Sequence, residues 1–341
     1  MKRIICLLLT VMMVLSMAAC GKKPAGAPEA PEAPVETASY PVTVTDQAGR
    51  EVVIEELPEK VVSGYYISTS ALIALGQHSK MVGIEAKADK RAIYSLAAPE
   101  LIELPSVGSA KEFDLEGCIA LEPDLVILPM KLKDAAATME EMEIDVLLVN
   151  PEDQTLLTEM IDLLGAALDC ADAAETLNAY TDNVAAQLQD AVSSEEAPTV
   201  YLAGNSSFLS TAPDGMYQSD LIALAGGVNV AAEIDDTYWV DVSYEQVLAW
   251  DPEYIILASD ASYTVEDVLA DPALAGCTAI ENGNVYQMPS AAEAWDSPVP
   301  GGVLGALWMG SKLHGEAVAE ETVSATIGEF YETFYGFTYP A

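Results

Sequence analysis

The stretch Asp241–Leu257, DVSYEQVLAWDPEYIIL, decides the fold, because a relaxed copy, DLEGCIALEPDLVIL at Asp114–Leu128, stands earlier in the chain. Aligned on Glu116 and Glu245, both copies carry a proline seven residues on, Pro123 and Pro252, and end an apolar run five residues later, at Leu128 and Leu257. Each copy reads as a short helix, a proline turn and a buried strand. The offset of 129 residues is close to a domain length and far longer than the roughly 20–50-residue period of a solenoid. The chain of 341 residues, 51% hydrophobic, therefore reads as two related halves.

Outward from the copies, short apolar runs alternate with helical spacing. Val61–Ser63, Met81–Ile84, Leu125–Leu128 and Val146–Val149 read as strands of the first half, and Val200–Ala203, the run ending at Leu257 and Val285–Met288 as strands of the second. Tyr65–Thr69 reads as a loop. Ser70–Leu75, Glu116–Leu121, Gln218–Ala225, Gly302–Leu313 and Val323–Tyr335 have helical spacing. Uniformly apolar strands between helices predict parallel sheets covered on both faces. Asp153–Leu168 and Asp172–Val192 are helical as well, and in the second Leu177, Val184, Leu188 and Ala191 form one stripe. A helix of roughly 20 residues is about 30 Å long, and its place between the halves predicts a rigid connector. Tyr40–Ile54, YPVTVTDQAGREVVI, alternates on both sides of Asp46-Gln47-Ala48-Gly49, a hairpin signal. The expected class is α/β, with an N-terminal lobe over 40–170, a connecting helix over 171–196 and a C-terminal lobe over 197–341.

The first residues read as an export signal over 1–19: Lys2 and Arg3, the apolar run Ile4–Leu15, then small residues. That run is too short to cross a bilayer as a helix, which takes roughly 20 residues. Leu15-Ser16-Met17-Ala18-Ala19-Cys20 resembles a bacterial lipobox, with Cys20 the lipidated first residue of the mature chain. Residues 20–39, rich in Pro, Ala and Glu, cannot build a core and read as a tether. The expected location is the extracytoplasmic face of the cell membrane, lipid-anchored. Without Lys2 and Arg3 the chain keeps 12 basic against 54 acidic residues, which disfavours nucleic acid as a partner. Cys118, Cys170 and Cys277 give no disulfide framework, and the apolar surroundings of Cys118 and Cys277 predict buried thiols. No G-x-S-x-G, H-E-x-x-H or P-loop occurs, so an exported enzyme is disfavoured.

TVTDQAGREV, VVSGYYISTSALIALG, FDLEGCIALEPDLVIL, YWVDVSYEQVLAWDPEYIIL and AWDSPVPGGVLGALWMGSKLH together resemble the periplasmic binding proteins that deliver iron-siderophores, cobalamin and haem to ABC importers. The resemblance spans nearly all of the mature chain. It implies the class III architecture of two Rossmann-like lobes with parallel sheets on one connecting helix. It also implies no catalysis, no resident cofactor, and a cargo that arrives as a pre-formed metal chelate. The implied partner is a FecCD- or cobalamin-type ABC permease dimer with a cytoplasmic ATPase, docked through one glutamate per lobe at Glu116 and Glu245. From the residues alone the same glutamates fit first helical turns behind the N-caps Asp114 and Ser243.

Ligands of open α/β sheets sit beyond the carboxyl ends of the strands. In the first lobe those ends carry Tyr65, Tyr66, Ser68, Arg91, Lys111 and Lys131; in the second they carry Asn205, Tyr238, Trp239 and Trp295, with Glu293 and Asp296 beside the last. Aromatics dominate this set and suit a cargo with flat or apolar faces. Trp239 and Trp295 resemble cleft aromatics of cobalamin- and siderophore-binding relatives, whereas Trp250 and Trp308 read as core. Arg91 suits a carboxylate or another anion. His78 and His314, at helix ends, read as surface residues, so direct capture of bare zinc or manganese is disfavoured. Tyr65 or Tyr66 leaves an axial ligand for haem open. A ferric siderophore is the first expected cargo and cobalamin or haem the next. A molybdate or tungstate oxyanion is the alternative, and a ligand-sensing co-receptor a further one.

Overall fold

The buried carboxylate of Asp46 pins down the first element of the fold. Its Oδ1 accepts from the amides of Ala48 and Arg50, both at 3.0 Å, and its Oδ2 accepts from Arg50 Nε and from the amide of Leu148, both at 2.9 Å. Strands β1 (Val42–Thr45) and β2 (Glu51–Ile54) thus form the expected antiparallel hairpin, sealed to the first lobe. Arg50 is spent on this joint, with Glu140 and the carbonyl of Val146 as its other acceptors. The computed structural model describes residues 40–236 and 238–340; the export signal, Cys20 and the tether lie outside the described residues.

The first lobe continues through β3 (Val61–Ser63), α1 (Tyr66–Ala74), β4 (Met81–Ile84), α2 (Ala92–Ala97), a small hairpin β5 (Gly108–Ser109) and β6 (Glu112–Phe113), α3 (Leu115–Ala120), β7 (Leu125–Pro129), α4 (Lys133–Glu140) and β8 (Asp145–Val149). Its main sheet runs β4-β3-β7-β8, all parallel. Strand β7 is buried at every position, as its unbroken apolar run requires of a sheet with two covered faces. Helix α1 starts at Tyr66, four residues before the spacing predicts. Residues of the run Tyr-Ile-Ser-Thr-Ser favour turns or strands by propensity; here the hydroxyls of Ser68 and Thr69 donate back to the carbonyl of Tyr65 at 2.8 and 3.2 Å and close the first turn.

Helix α5 (Gln154–Ala167) leads into the connector α6 (Ala171–Val192), 22 residues long. One stripe of α6, with Leu177, Val184 and Leu188 on it, is buried. It packs on α5 at one end and on second-lobe helices at the other. A β-carbon on Gly165 would meet that of Ala174 at 2.6 Å, so glycine there lets α5 and α6 close on each other.

The second lobe comprises β9 (Thr199–Ala203), β10 (Ser210–Thr211), α7 (Tyr217–Leu224), β11 (Val228–Asn229), β12 (Val240–Asp241), α8 (Tyr244–Trp250), β13 (Tyr254–Leu257), α9 (Val265–Leu269), α10 (Thr278–Asn282), β14 (Val285–Gln287), α11 (Gly302–Leu313) and α12 (Glu320–Tyr335). Its sheet runs β12-β10-β9-β13-β14, with β11 also on β9. β9, β11, β13 and β14 are parallel, but β10 and β12 join antiparallel, where the sequence predicts a parallel sheet. The link from Ala203 to Ser210 is too short for a crossover, which needs a dozen or more residues, so the chain folds straight back. Helix α12 returns to α1 of the first lobe, giving the lobes a second tie besides α6. Three side chains also differ from expectation. His314 is buried, its Nε2 3.1 Å from the carbonyl of Gly226. Trp250 and Trp308 are half-buried, not core. Cys118 and Cys277 are buried and free, as expected.

Candidate functional site

The cleft is built where the carboxyl ends of both sheets meet. Tyr66, the first residue of α1, turns its ring under the guanidinium of Arg91, whose Cζ lies 4.0 Å from the ring centroid. Arg91 Nε in turn lies 3.3 Å from Oε1 of the buried Glu85 at the end of β4. Glu85 also accepts from the hydroxyls of Tyr94 (2.6 Å) and Thr69 (2.8 Å). Burial pushes the Glu85 carboxyl above its ordinary value, while these donors and Arg91 oppose the shift. The Tyr66–Arg91 stack separates two spaces. On one side lies an interlobe cavity of about 100 Å³, with Lys90 and Arg91 facing Asp260, Ser290 and Glu293. On the other lies a groove of about 580 Å³ along the first lobe, between Tyr65 and the β5–β6 hairpin.

Side chains of the two lobes meet at the cleft. Ser70 on α1 donates to Glu293 Oε1. At the rim Lys131 Nζ stands 5.9 Å from the ring centroid of Tyr238. Glu293 accepts further bonds from Tyr331 (3.1 Å) and Tyr335 (3.4 Å) on α12. Buried with no cation against it in these bonds, its carboxyl is pushed up to about 7, chiefly by desolvation. Burial likewise raises the phenols of Tyr65 and Tyr66.

Of the residues expected in the cleft, Tyr65, Tyr66 and Arg91 line its two spaces, and Lys131 and Tyr238 face each other at its rim. Tyr238 is 64% exposed and Trp239 37%; Trp239 lies against Gly204, where a β-carbon would come within 2.8 Å of its ring. Asn205 is exposed at the end of β9 and its carbonyl holds the amide of Ser262. Two expectations are corrected. Trp295 is fully buried, its Nε1 donating to Tyr331 at 2.8 Å and its ring stacked on Tyr339. Ser68 is buried too, bonded to Ser63 and to the carbonyl of Tyr65. Both side chains serve packing beneath the cleft. Sequence reasoning passed over Ser70, Lys87, Lys90 and Tyr94. The run Lys87-Ala88-Asp89-Lys90-Arg91 directly after a strand end was a usable signal for the two lysines.

Glu116 and Glu245 are both exposed in the first turns of α3 and α8. Their N-caps are the expected ones: Asp114 Oδ1 accepts from the amide of Gly117 at 2.9 Å, and Ser243 Oγ from that of Gln246 at 3.2 Å. The duplicated sequence therefore yields duplicated geometry. Among the described residues no cluster of three or more His, Cys, Asp or Glu could hold a bare metal ion.

Two α/β lobes on a shared helix, with a cleft of mixed polar and aromatic lining, have the architecture of a solute-binding protein. The periplasmic binding protein family matches residues 61–292, and the chain belongs to that family. It is 25% identical to the molybdate-binding protein MolA of Haemophilus influenzae, across 87% of this chain and 91% of MolA. It is also 25% identical to a cobalamin-binding protein of Halobacterium salinarum, across 81% of this chain and 75% of that protein. Among solved structures, a periplasmic solute binding protein from Veillonella parvula superposes with a TM-score of 0.77 at 25% identity, covering 87% of this chain and 93% of its own. The chain is thus a substrate-binding protein of the ABC-transporter type.

Proposed function

We propose that this substrate-binding protein is anchored through Cys20 and carries a metal chelate, a ferric siderophore before cobalamin or haem. It delivers that cargo to a FecCD- or cobalamin-type permease through Glu116 and Glu245. The observation that carries this reading is the first-lobe groove of about 580 Å³ with the exposed rings of Tyr238 and Trp239 on the second lobe. Such a volume falls within the roughly 300–1,000 Å³ of small-molecule sites, and exposed rings gain contact area from a chelate's flat faces. Tryptophan fluorescence titrated with ferric siderophores, cobalamin, haem and molybdate tests it. Micromolar or tighter binding of a chelate, with quenching lost in Trp239→Phe, is expected. Binding of no chelate, or hydrolytic turnover of one, ends the reading.

A second reading, an oxyanion carrier, is favoured by the interlobe cavity of about 100 Å³ beside Lys90 and Arg91. That space suits a tetrahedral oxyanion and is too small for a chelate, and MolA is a molybdate binder. In the same titration, saturation by molybdate with no response to any chelate selects it.

A further inference from the structure

Ser70 ties the first lobe to the second. Its hydroxyl donates to Glu293 Oε1 and lies 3.1 Å from the hydroxyl of Tyr335, which also reaches the carbonyl of Ser70 at 3.4 Å. Ser70 stands on α1, Glu293 on the loop after β14 and Tyr335 at the end of α12, so this knot joins the lobes beneath the cleft. All three residues are buried, yet Ser70 and Glu293 also line the interlobe cavity of about 100 Å³. That space has room for a few waters, which gives the carboxyl a route for protons without exposing it.

What packs against Glu293 is hydroxyl, phenol and acid. Besides Ser70 on α1, it meets Tyr331 and Tyr335 on α12, with Tyr339 beyond them and Tyr217 on α7 close by. Asp296 stands three residues on in its own loop. A β-carbon on Gly301, at the start of α11, would lie 2.6 Å from Glu293 Oε2, so that helix end adds backbone only. Tyr66, Lys90, Arg91 and Asp260 line the cavity with it, but the two cations are held elsewhere, by Asp89 at 2.8 Å and Glu85 at 3.3 Å. The knot takes a neutral carboxyl without losing a bond. The Ser70–Tyr335 pair can run in either direction, so Ser70 can accept from Glu293 while Tyr335 donates to the Ser70 carbonyl. A carboxylate accepts from the same hydroxyls but is a buried charge without a counter-ion, which is costly until water reaches it. Desolvation accordingly outweighs the hydroxyl donors and drives this carboxyl up to about 7.

We propose that Glu293 is a proton-operated latch between the lobes: neutral, it holds α1 against α12 and the cleft closed; ionised, it loosens that joint and weakens the grip on cargo. The latch rests on the transport reading for its cargo and adds one proton to the binding equilibrium. Closing the lobes takes up a proton that the opened, hydrated carboxyl has released. Affinity is therefore highest at acid pH and falls as pH rises through about 7.

The test is calorimetric titration between pH 5.5 and 8 with cyanocobalamin, a neutral ferric trihydroxamate and molybdate, probes that each keep one charge state over that range. Wild type is expected to lose roughly 5- to 30-fold in affinity across the range for whichever probe binds. Glu293→Gln, which cannot ionise, should change less than about twofold, while His78→Gln and His314→Gln keep the wild-type slope. A flat wild-type profile, a slope that survives in Glu293→Gln, or one that leaves with either histidine overturns the latch. A slope on molybdate beside a flat response to a neutral probe means direct repulsion by Glu293 and overturns it too. Should Glu293→Gln not fold, titration of wild type in buffers of different ionisation heat decides, and no proton uptake at pH 7 overturns the latch. Hydrogen exchange without cargo is the second readout. After correction for intrinsic rates, amides of α1 should lose protection with rising pH relative to those of β7 in wild type, and not in Glu293→Gln. Equal losses in α1 and β7, or none, overturn the latch. If no probe binds wild type, the cargo reading falls and hydrogen exchange judges the latch by itself.

Discussion

The two lobes are built on one plan and charged on two. Residues 40–170 carry nine Lys and Arg against 24 Asp and Glu; residues 197–341 carry one, Lys312, against 21. Each lobe buries a carboxylate behind the cleft, and the contrast decides how each is tolerated. Glu85 in the first lobe has Arg91 at 3.3 Å as well as two hydroxyl donors. Glu293 in the second accepts from hydroxyls and has no cation partner among the described residues, and its carboxyl is driven up to about 7. A buried charge must be paired or neutralised; the first lobe does the one and the second the other. The division carries to the rim, where the first lobe offers Lys87, Lys111 and Lys131 and the second Tyr238 and Trp239.

The largest expected effect concerns the feature in which the lobes are alike. Glu116→Gln with Glu245→Gln is expected to abolish uptake in cells while the purified protein binds its cargo with unchanged Kd. Each single variant should give a similar, partial defect, because the two exposed glutamates occupy matching first turns. Uptake that survives the double change removes the docking role and leaves only the helix-dipole role of those acids. Two singles of very different severity would show that only one lobe carries the contact.

Next in size is a contrast between two tryptophans. Trp295→Ala is expected to cost about 3–5 kcal/mol in urea denaturation, the range for emptying a large aromatic site in a core. Trp239→Ala is expected to cost under about 1 kcal/mol, as for an exposed ring, and to weaken cargo binding instead. The sequence offers no way to tell these residues apart, since both flank strand ends of the second lobe. What buries Trp295 is Tyr331 and Tyr339 from the C-terminal segment, contacts that close only when α12 packs back. His314 is buried for the same reason, its partner Gly226 lying far off in sequence. Patterns that are local were legible: the duplicated helix-proline-strand unit, the bounds of α11 to the residue, and α6 to within one residue at its start. The ring of Tyr66 under Arg91 and the bond from Ser70 to Glu293 join distant segments, and no periodicity encodes them.

The third expectation follows from the unlike carboxylates. The folded pKa of Glu293, about 7, stands above the ordinary value of 4.5, so the native state holds a proton that the unfolded chain has released. Its stabilising contribution is therefore complete below about pH 4.5 and is lost as pH rises to about 7, by up to ~3 kcal/mol. Asp296 and Glu85, both raised by burial, slope in the same direction. Glu293→Gln keeps an acceptor for Ser70 and the tyrosines and cannot ionise, so the fall in urea midpoint between pH 5 and 7.5 should shrink. An unchanged slope would mean that the proton sits on Asp296 or Glu85, and the contrast between paired and neutralised carboxylates would need redrawing.

The smallest effect tests whether the lobes' unlike rims compete with the cargo. Lys131 and Tyr238 meet across the cleft at 5.9 Å, a cation–π distance worth about 0.5 kcal/mol at an exposed site, or roughly twofold in Kd. If Tyr238 must leave the ammonium to stack on cargo, Lys131→Ala should tighten binding of a neutral ferric trihydroxamate about twofold. In a Tyr238→Ala background the same change should do nothing, because no ring remains to be released. The neutral probe is needed for this, since an anionic one would feel the lost charge directly and hide the effect. Should Lys131→Ala weaken the neutral probe in both backgrounds, Lys131 touches cargo itself through its aliphatic stem. The first lobe would then contribute apolar contact as well as charge, and the division of labour between the jaws would be one of degree.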